Sequence, residues 1–270
     1  SEFTAGLSGL GSIIMKKILL VLFGIWIVFF SNVFAAETIR ISTEEWPPYT
    51  STDLKYNGIF ARIVTESFAL ENVEVEYGFF PAKRSYNLAL GGDWNGSMPW
   101  NRTPDRENDF DFSDVIMGGE LVFFHHINYE FDWASISDLK GLTIGGLIGS
   151  NYREAFQDAE KSGIIVVERV PSDLMNLRKL LKRRIHIYPG NKDVGYHLLN
   201  TSFPHKMRKL VTTHPRPLAI DKLTILFSKK VKGNTRLIKL FNRGLKKLKE
   251  QGKYGQFIKE SRRGDYIIKK

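Results

Sequence analysis

Arg106 is the first candidate for a residue that binds an anion. It ends the turn Thr103-Pro104-Asp105-Arg106 and comes shortly before the run Asp111-Phe112-Ser113-Asp114. A guanidinium group presents a fixed fork of N–H donors that matches the two oxygens of a carboxylate, and partial burial strengthens the pair. On the residues alone, Arg106 can bind a carboxylate or be a surface arginine after a proline turn.

Ser150 offers a second group for the same anion. A strand pattern ends at Gly146, and Gly149-Ser150-Asn151 precedes a helical pattern that runs to about Ser162. Free N–H groups and the dipole at a helix N-terminus attract negative charge, and the Ser150 hydroxyl adds a donor. Serine is also a common N-cap without any ligand, so both interpretations stay open on the residues alone.

Three aromatic side chains are candidates for a binding surface. Trp46 and Tyr49 flank Pro47-Pro48, directly after a strand pattern over 38–43, and Trp100 lies just before the arginine turn. Two prolines cannot continue a ladder of backbone hydrogen bonds, so the chain is expected to turn there and expose both rings. Each of the three can instead be a core residue, which is the commoner fate of an aromatic side chain.

The apolar patterns predict strands and helices in alternation, which is the order of a parallel α/β sheet. The predicted strands are 38–43, 73–77, 119–125, 142–146, 164–170, 185–188 and 218–228. The predicted helices are 59–68, 85–90, 150–162, 172–181, 193–199 and 234–252. Two βα sets joined by two extended crossings, with the C-terminal helices returning to the first set, describe a two-lobe clamshell.

From about Ile39 to Glu260, the chain resembles the family 3 extracellular solute-binding proteins, which are the polar amino-acid receptors of ABC importers. The landmarks stand in the order of that family: W-P-P-Y, T-P-D-R with F-S-D, S-D-L-K-G leading into T-I-G-G-L-I-G-S, and G-K-Y-G-Q-F-I-K-E. The resemblance implies the α/β, two-lobe periplasmic-binding-protein fold (venus-flytrap, type II) with two interlobe crossings. Lobe 1 is expected to comprise 36–124 plus 220–270, and lobe 2 to comprise 125–219.

The same resemblance implies roles for particular residues in a cleft between the lobes. The matching residues are Arg106 and Ser150 for the ligand α-carboxylate, Asn101 at a position that usually carries a hydroxyl, and Trp46 and Tyr49 for an aromatic wall. Trp100 stands where the family normally has small residues and is a further aromatic candidate. No catalytic residue is expected, because closure around the ligand would be the whole mechanism.

One departure from the family pattern concerns the ligand ammonium. Asn191 stands where an ammonium-binding Asp is expected, and His186 replaces an earlier Asp. A neutral amide can accept a hydrogen bond but cannot balance a charge, and an uncompensated buried charge costs several kcal/mol. Either Glu44, Glu45 or Asp193 takes over this role, or the ligand is not a simple α-amino acid.

An export signal is predicted at 15–35, where Lys16-Lys17 precedes the apolar run Ile18–Phe30 and small residues end at Ala35. The apolar run is 13 residues long, short of the ~20 that span a bilayer. Cleavage before Ala36 would leave a periplasmic protein without stable membrane insertion. Residues 1–14 precede the natural start and are interpreted as vector-derived or mis-assigned sequence.

Composition excludes several classes of protein. Cysteine is absent, so disulfides, thiolate metal sites and a lipid-modified cysteine are excluded. The histidines show no metal-ligand spacing, and we expect no metal and no cofactor. The segment 229–270 carries 15 Lys or Arg against three acidic residues; these are either solvated helix faces or a docking surface for an acidic partner. No nucleic-acid-binding motif is present.

The expected function is therefore that of a monomeric periplasmic receptor for a small carboxylate-bearing solute, with an ABC permease as its partner. One alternative is an enzyme, since some relatives of these receptors are periplasmic dehydratases of cyclohexadienyl or arogenate type. Such an enzyme adds an acid near the leaving hydroxyl, for which Glu44, Glu45 or Asp193 could serve. The other alternative is a ligand-sensing partner of a membrane signalling protein.

Overall fold

The computed structural model describes residues 37–150 and 152–268. The predicted leader and export signal, together with Asn151, lie outside the described residues. The strands are β1 (Glu37–Thr43), β2 (Val73–Phe79), β3 (Gly96–Asn101), β4 (Phe110–Phe112), β5 (Met117–His126), β6 (Thr143–Leu147), β7 (Val166–Val170), β8 (Ile187–Asn191), β9 (Val211–Thr213) and β10 (Ala219–Ser228).

The helices alternate with these strands, as predicted. They are α1 (Ile59–Ala69), α2 (Ala82–Gly91), α3 (Pro104–Glu107), α4 (Glu154–Lys161), α5 (Asp173–Leu181), α6 (Lys192–Ser202), α7 (His205–Arg208), α8 (Asn234–Glu250) and α9 (Lys253–Arg263). Two 3₁₀ turns, Lys55–Asn57 and Ile136–Leu139, complete the described elements.

The strands form one continuous sheet in the order β2-β1-β3-β10-β5-β8-β6-β7, with β4 added to β10 and β9 added to β5. Pairing is parallel for β1 with β3, and for β6 with β7 and β8. The long strands β5 and β10 run antiparallel to their neighbours and to each other. They join two parallel halves, which confirms the prediction of two βα sets connected by two extended crossings.

Each half of the sheet has its own apolar core. In the first half, Phe60 of α1 and Phe241 of α8 pack with Ile41 of β1. In the second half, Phe123 and Phe124 of β5 belong to two separate clusters. Successive side chains of a strand point to opposite faces, so this pair shows that helices cover both faces of the second half.

The exact lobe boundaries remain a proposal. The proposed change at 124/125 lies near the end of β5, and the one at 219/220 lies at the start of β10. Along β5, residues up to Leu121 pair with β10, whereas Leu121 to His125 pair with β8. This change of partner favours moving the proposed first boundary towards Leu121.

Two local predictions differ from the structure. The strand β3 was not predicted, because Gly96 and Pro99 are both unfavourable in strand interiors. The helix expected from Ser150 begins instead at Glu154, after Arg153 with φ 87°. Among the described residues, no helix has both the length and the apolar composition that crossing a bilayer requires.

Gly244 lets α8 approach α1 closely, and we expect Gly244→Ala to destabilise the fold. A Cβ at this position would overlap the carbonyl oxygen of Ser67, which is backbone and cannot rotate away. Overpacking of this kind costs about 1–3 kcal/mol. The control Gly255→Ala lies in α9 with no atom near the added Cβ and should stabilise by about 0.5–1 kcal/mol. Urea unfolding measures both; equal effects would contradict the close approach.

Candidate functional site

Arg106 lies in the single-turn helix α3, just beyond the end of β3. Its side chain is half-buried, and one Nη donates to the carbonyl oxygen of Asn101 at 2.6 Å. The guanidinium carbon lies 4.7 Å from the centre of the Trp100 ring. Trp100 is held in turn by its Nε1, which donates to Ser97 Oγ at 2.8 Å. Within the described residues, the other guanidinium N–H groups have no partner, so most of the fork is available to a ligand.

Asp221 connects the arginine turn with the second half of the molecule. Its Oδ1 accepts from Asn101 Nδ2 at 3.1 Å and forms an ion pair with Arg153. Arg153 stands three residues after Ser150, in the loop between β6 and α4. The carboxylate of Asp221 therefore brings the loop that carries Ser150 close to the turn that carries Arg106.

Ser150 lies in a loop rather than at a helix N-terminus. The guanidinium of Arg169 binds two carbonyl oxygens of this loop, that of Leu147 at 2.5 Å and that of Ser150 at 3.0 Å. The hydroxyl of Tyr152 accepts from the Leu147 N–H at 2.6 Å. These bonds fold the loop back on β7, and α4 begins only at Glu154, so the predicted helix start at Ser150 is wrong. The Ser150 hydroxyl as a ligand donor stays a proposal.

Tyr49 links the first half of the molecule to the start of α6. Its ring is fully buried, and its hydroxyl lies 3.2 Å from Asn191 Oδ1 and 3.2 Å from Asp193 Oδ2. Burial, together with the nearby Asp193 carboxylate, raises the pKa of Tyr49. Trp46 is half-buried, with its ring centre 4.6 Å from that of Tyr49. Trp46 is thus the more accessible ring of the predicted wall, whereas Tyr49 makes a contact between the two halves.

Asn191 and Asp193 already have partners in the protein. Asn191 Oδ1 accepts from the backbone N–H of Val194 at 3.1 Å and caps α6. Asp193 Oδ1 lies 3.3 Å from Nε of Arg262. A charge that is paired within the protein contributes less to a ligand cation. Asp193 is therefore a weaker candidate for the missing ammonium partner than the sequence indicated.

Glu44 is one of the carboxylates of the first half that have no ion pair with a described residue. It follows β1, is half-buried, and its side chain has no hydrogen-bond or ion-pair partner within the described part of the chain. Burial raises the pKa of Glu44. The neighbouring Glu45 is exposed and accepts from both the N–H and the hydroxyl of Thr52. Of the three acids considered from the sequence, Glu44 is the one with its charge uncompensated.

Asp173 is a further acid that sequence reasoning did not single out. It is the first residue of α5, next to the C-terminal end of β7, and burial raises its pKa to about 6. Within the described residues, neither its Oδ1 nor the buried Tyr188 hydroxyl has a hydrogen-bond partner. An Asp after a Ser N-cap is typical of a helix start, so the sequence carried no sign of a special role.

We expect Asp173→Asn to change how stability depends on pH. The folded state holds the proton of Asp173 more tightly than the unfolded chain does, so this group lowers stability as pH rises from about 4 through about 6. A shift from 3.8 to about 6 corresponds to an effect on the order of 3 kcal/mol. The free energy of unfolding of Asp173→Asn, relative to that of the parent, should therefore increase by this amount between pH 4 and pH 8.

Urea unfolding at pH 4, 6 and 8 tests this expectation, with the exposed Asp53→Asn as the control. A constant difference between Asp173→Asn and the parent at all three pH values would show that Asp173 is ionised as easily in the folded protein as in the unfolded chain.

No group of three His, Asp or Glu side chains within 37–150 and 152–268 is arranged to hold a metal ion. The candidate site therefore consists of Arg106 with Asn101, the Asp221–Arg153 pair, the loop of Ser150, the contact of Tyr49 with Asn191, and the unpaired Glu44. The contacts of Asp221 with Arg153 and of Tyr49 with Asn191 join the two halves. Arg106 offers donors for a carboxylate, and Glu44 offers a negative charge for a cation.

Comparison with known proteins found relatives in structure and none in sequence. No family model and no curated protein sequence matches the chain. Substrate-binding domain 2 of GlnP from Lactococcus lactis, in an open conformation, matches with a TM-score of 0.66 at 18% identity, over 83% of this chain and 95% of that one. The chain has the type II periplasmic-binding-protein fold.

Two further structures have the same fold and belong to proteins with different roles. An ancestral arginine-binding protein bound to arginine matches with a TM-score of 0.61 at 18% identity, over 84% of this chain and 98% of that one. A histidine kinase sensor domain with similarity to periplasmic binding proteins matches with a TM-score of 0.62 at 15% identity, over 84% and 96%. At these identities the likeness establishes the fold, and function has to be argued from the site.

Proposed function

We propose that this protein is a periplasmic receptor that closes on a small carboxylate-bearing solute, an amino acid or a related compound. The observation that carries the proposal is Arg106, whose half-buried guanidinium keeps most of its donors unused at the end of β3. The fold agrees with this role, since an arginine-binding protein and a substrate-binding domain share it.

The ligand carboxylate would bind between the two halves. In this proposal Arg106 provides the bidentate pair and Ser150 adds its hydroxyl from the facing loop. The contacts of Asp221 with Asn101 and with Arg153 support this arrangement, because they join the two loops concerned. Asn101 would keep the turn in place through its backbone carbonyl, which accepts a hydrogen bond from Arg106, and its Nδ2, which donates one to Asp221. Its buried Oδ1 has no partner among the described residues and would be the atom that contacts the ligand.

The cationic group of an amino-acid ligand would bind at Glu44. This carboxylate is half-buried and unpaired in the described residues, and a ligand ammonium would remove the cost of ionising it there. Trp46 would cover the ligand side chain, because it is the more accessible ring of the pair. Asn191 would support the site without contacting the ligand, because it accepts a hydrogen bond from the Tyr49 hydroxyl and caps α6.

Closure would be the whole mechanism, with β5 and β10 as the hinge strands. The hydroxyl of Tyr49 and the ion pair of Asp193 with Arg262 would help to hold the closed form, because each joins the first half to α6. An ABC permease in the inner membrane is the proposed recipient. A membrane signalling protein that binds the closed form is the alternative partner. Ligand transport by a reconstituted permease in the presence of this receptor would distinguish the two partners.

Isothermal titration tests the receptor proposal. The titrants are single α-amino acids and matched acids that lack the amino group. We expect saturable one-site binding for at least one carboxylate compound, together with loss of that signal for its primary amide, which has no anionic group for Arg106. Equal affinity for an acid and its amide would contradict the assigned role of Arg106.

An enzyme of dehydratase type is the second candidate, and Asp173 is the observation that favours it. An acid with a pKa of about 6 can hold a proton near neutral pH and give it to a leaving hydroxyl. Incubation with prephenate or arogenate, followed by chromatography of the products, tests this candidate. If the parent converts either compound and Asp173→Asn does not, the protein is an enzyme of this type and the receptor proposal is contradicted.

A further inference from the structure

A cavity lies in the second half of the molecule, at the end of β8 opposite to Asn191. It has a volume of about 250 Å³ and is lined by His126, Asn128, Tyr129, Arg183, Ile185 and His186. His186 precedes the first residue of β8, whereas Asn191 of the candidate site is its last. Five residues of extended strand separate these ends by roughly 17 Å, so this distal cavity is separate from the candidate site.

The two histidines of the distal cavity have a defined tautomer. Nδ1 of His186 accepts from the Thr143 N–H at 2.8 Å, and Nδ1 of His126 accepts from the Asn128 N–H at 3.2 Å. A ring nitrogen that accepts a hydrogen bond carries no proton, so in each neutral ring the proton is on Nε2. Neither Nε2–H has a hydrogen-bond acceptor within the described residues. Both Nε2–H groups are therefore available to donate a hydrogen bond to a ligand.

The charge in the distal cavity is positive and unbalanced. The guanidinium of Arg183 makes no ion pair with any described residue, and no carboxylate lines the cavity. Burial, with the nearby Arg183 and His125, lowers the pKa of His126. The ring of Tyr129 stacks on that of His186, with centres 5.2 Å apart, which fixes the orientation of His186.

We propose that the distal cavity binds a small oxyanion, with Arg183 as the counter-charge and with Nε2–H of His126 and of His186 as donors. Each of these groups lacks a hydrogen-bond acceptor among the described residues, and the oxygens of one anion can accept hydrogen bonds from all three. The cavity is several times larger than the ~30 Å³ of a water molecule. It therefore has room for a phosphate, sulfate or carboxylate group.

NMR of the histidine rings tests the proposal. The purified protein is titrated with sodium phosphate, sodium sulfate or sodium acetate at constant ionic strength, with chloride as the balancing anion. We expect at least one of the three to produce saturable shifts of the Nε2 resonances of both His126 and His186. The comparison among the three tells whether the cavity prefers a tetrahedral or a planar oxyanion.

Arg183→Gln is the decisive variant and Arg184→Gln is its matched control. The two arginines are adjacent and exposed, but only Arg183 lines the cavity. Glutamine retains the Cβ, so the positive φ of 53° at Arg183 is equally tolerated in parent and variant. Arg183→Gln should lower the affinity of the cavity for the anion by at least tenfold, while Arg184→Gln and Arg106→Ala should leave this affinity unchanged.

Two results would overturn the proposal. One is the absence of saturable shifts with all three anions in the folded parent protein. The other is equal weakening by Arg183→Gln and Arg184→Gln, which would reduce the effect to general surface charge. Because Arg106 takes no part in this site, the outcome is independent of the proposed receptor function.

Discussion

Replacing Arg106 with alanine should weaken binding of the carboxylate ligand by roughly 30-fold to several thousand-fold. Removing one partner of a desolvated, hydrogen-bonded charge pair costs about 2–5 kcal/mol, and each 1.4 kcal/mol is about tenfold in affinity. Arg106 donates once to the protein, to the Asn101 carbonyl at 2.6 Å, and keeps its other donors for the ligand. Arg106→Lys should fall between parent and alanine, since it keeps the charge but loses the fork.

The matched control is Arg102→Ala, four residues earlier in the chain. Arg102 is exposed and pairs with Glu107 at 2.6 Å on the surface, where such a pair contributes at most about 1 kcal/mol to stability. Titration calorimetry on the three variants measures affinity, and circular dichroism checks that each is folded. Equal losses for Arg102→Ala and Arg106→Ala would reduce the effect to net charge and remove the assigned carboxylate site.

Replacing Glu44 with glutamine should lower the affinity for an ammonium-bearing ligand by roughly 10- to 100-fold and leave the affinity for its deaminated analogue unchanged. An ammonium held without a counter-charge in a closed cleft is costly. Glu44 is a half-buried acid at the end of β1, has no side-chain partner in the described residues, and has a pKa that burial raises. Glu45→Gln is the neighbouring control, because that carboxylate is exposed and bonded to Thr52.

Stability separates this effect from misfolding. The pKa of Glu44 is raised in the folded state, so its ionisation costs stability above that pKa, and Glu44→Gln should not lower stability at pH 7–8. Calorimetric titration with each amino acid and its deaminated analogue provides the comparison. If Glu44→Gln weakens both compounds equally, Glu44 shapes the cleft and another group meets the ammonium.

The alternation of strands and helices could be predicted from sequence because each half buries its own apolar patterns. The helix from Ile59 and the helix capped by Ser172 were predicted at the positions where they occur. The two crossings were recognisable as long apolar runs, now β5 and β10. Strand β3 was hidden because pairing with β1 and β10 on either side outweighs the low strand propensity of Gly96 and Pro99.

The candidate site was only partly predictable, because its bonds join residues far apart in sequence. Arg106 was recognisable from its turn, yet nothing near Asp221 indicated that it would meet Asn101 and Arg153. Tyr49 was expected to be an exposed wall, but its hydroxyl reaches Asn191 across 142 positions and the ring is buried. The start of α4 was misplaced because Arg169, from another strand, binds the loop of Ser150.

Thermal unfolding with a ligand panel, on the parent and on Arg106→Ala, tests the central claim most directly. The panel holds α-amino acids, simple carboxylic acids, small peptides and aromatic acids. A ligand at about 100 times its dissociation constant adds ~2.7 kcal/mol, which raises Tm by roughly 5–10 °C in a chain of this size. We predict such a shift for at least one carboxylate compound in the parent and none in Arg106→Ala. The absence of any shift in the folded parent, or the same shift in both proteins, would contradict a receptor that binds its ligand through Arg106.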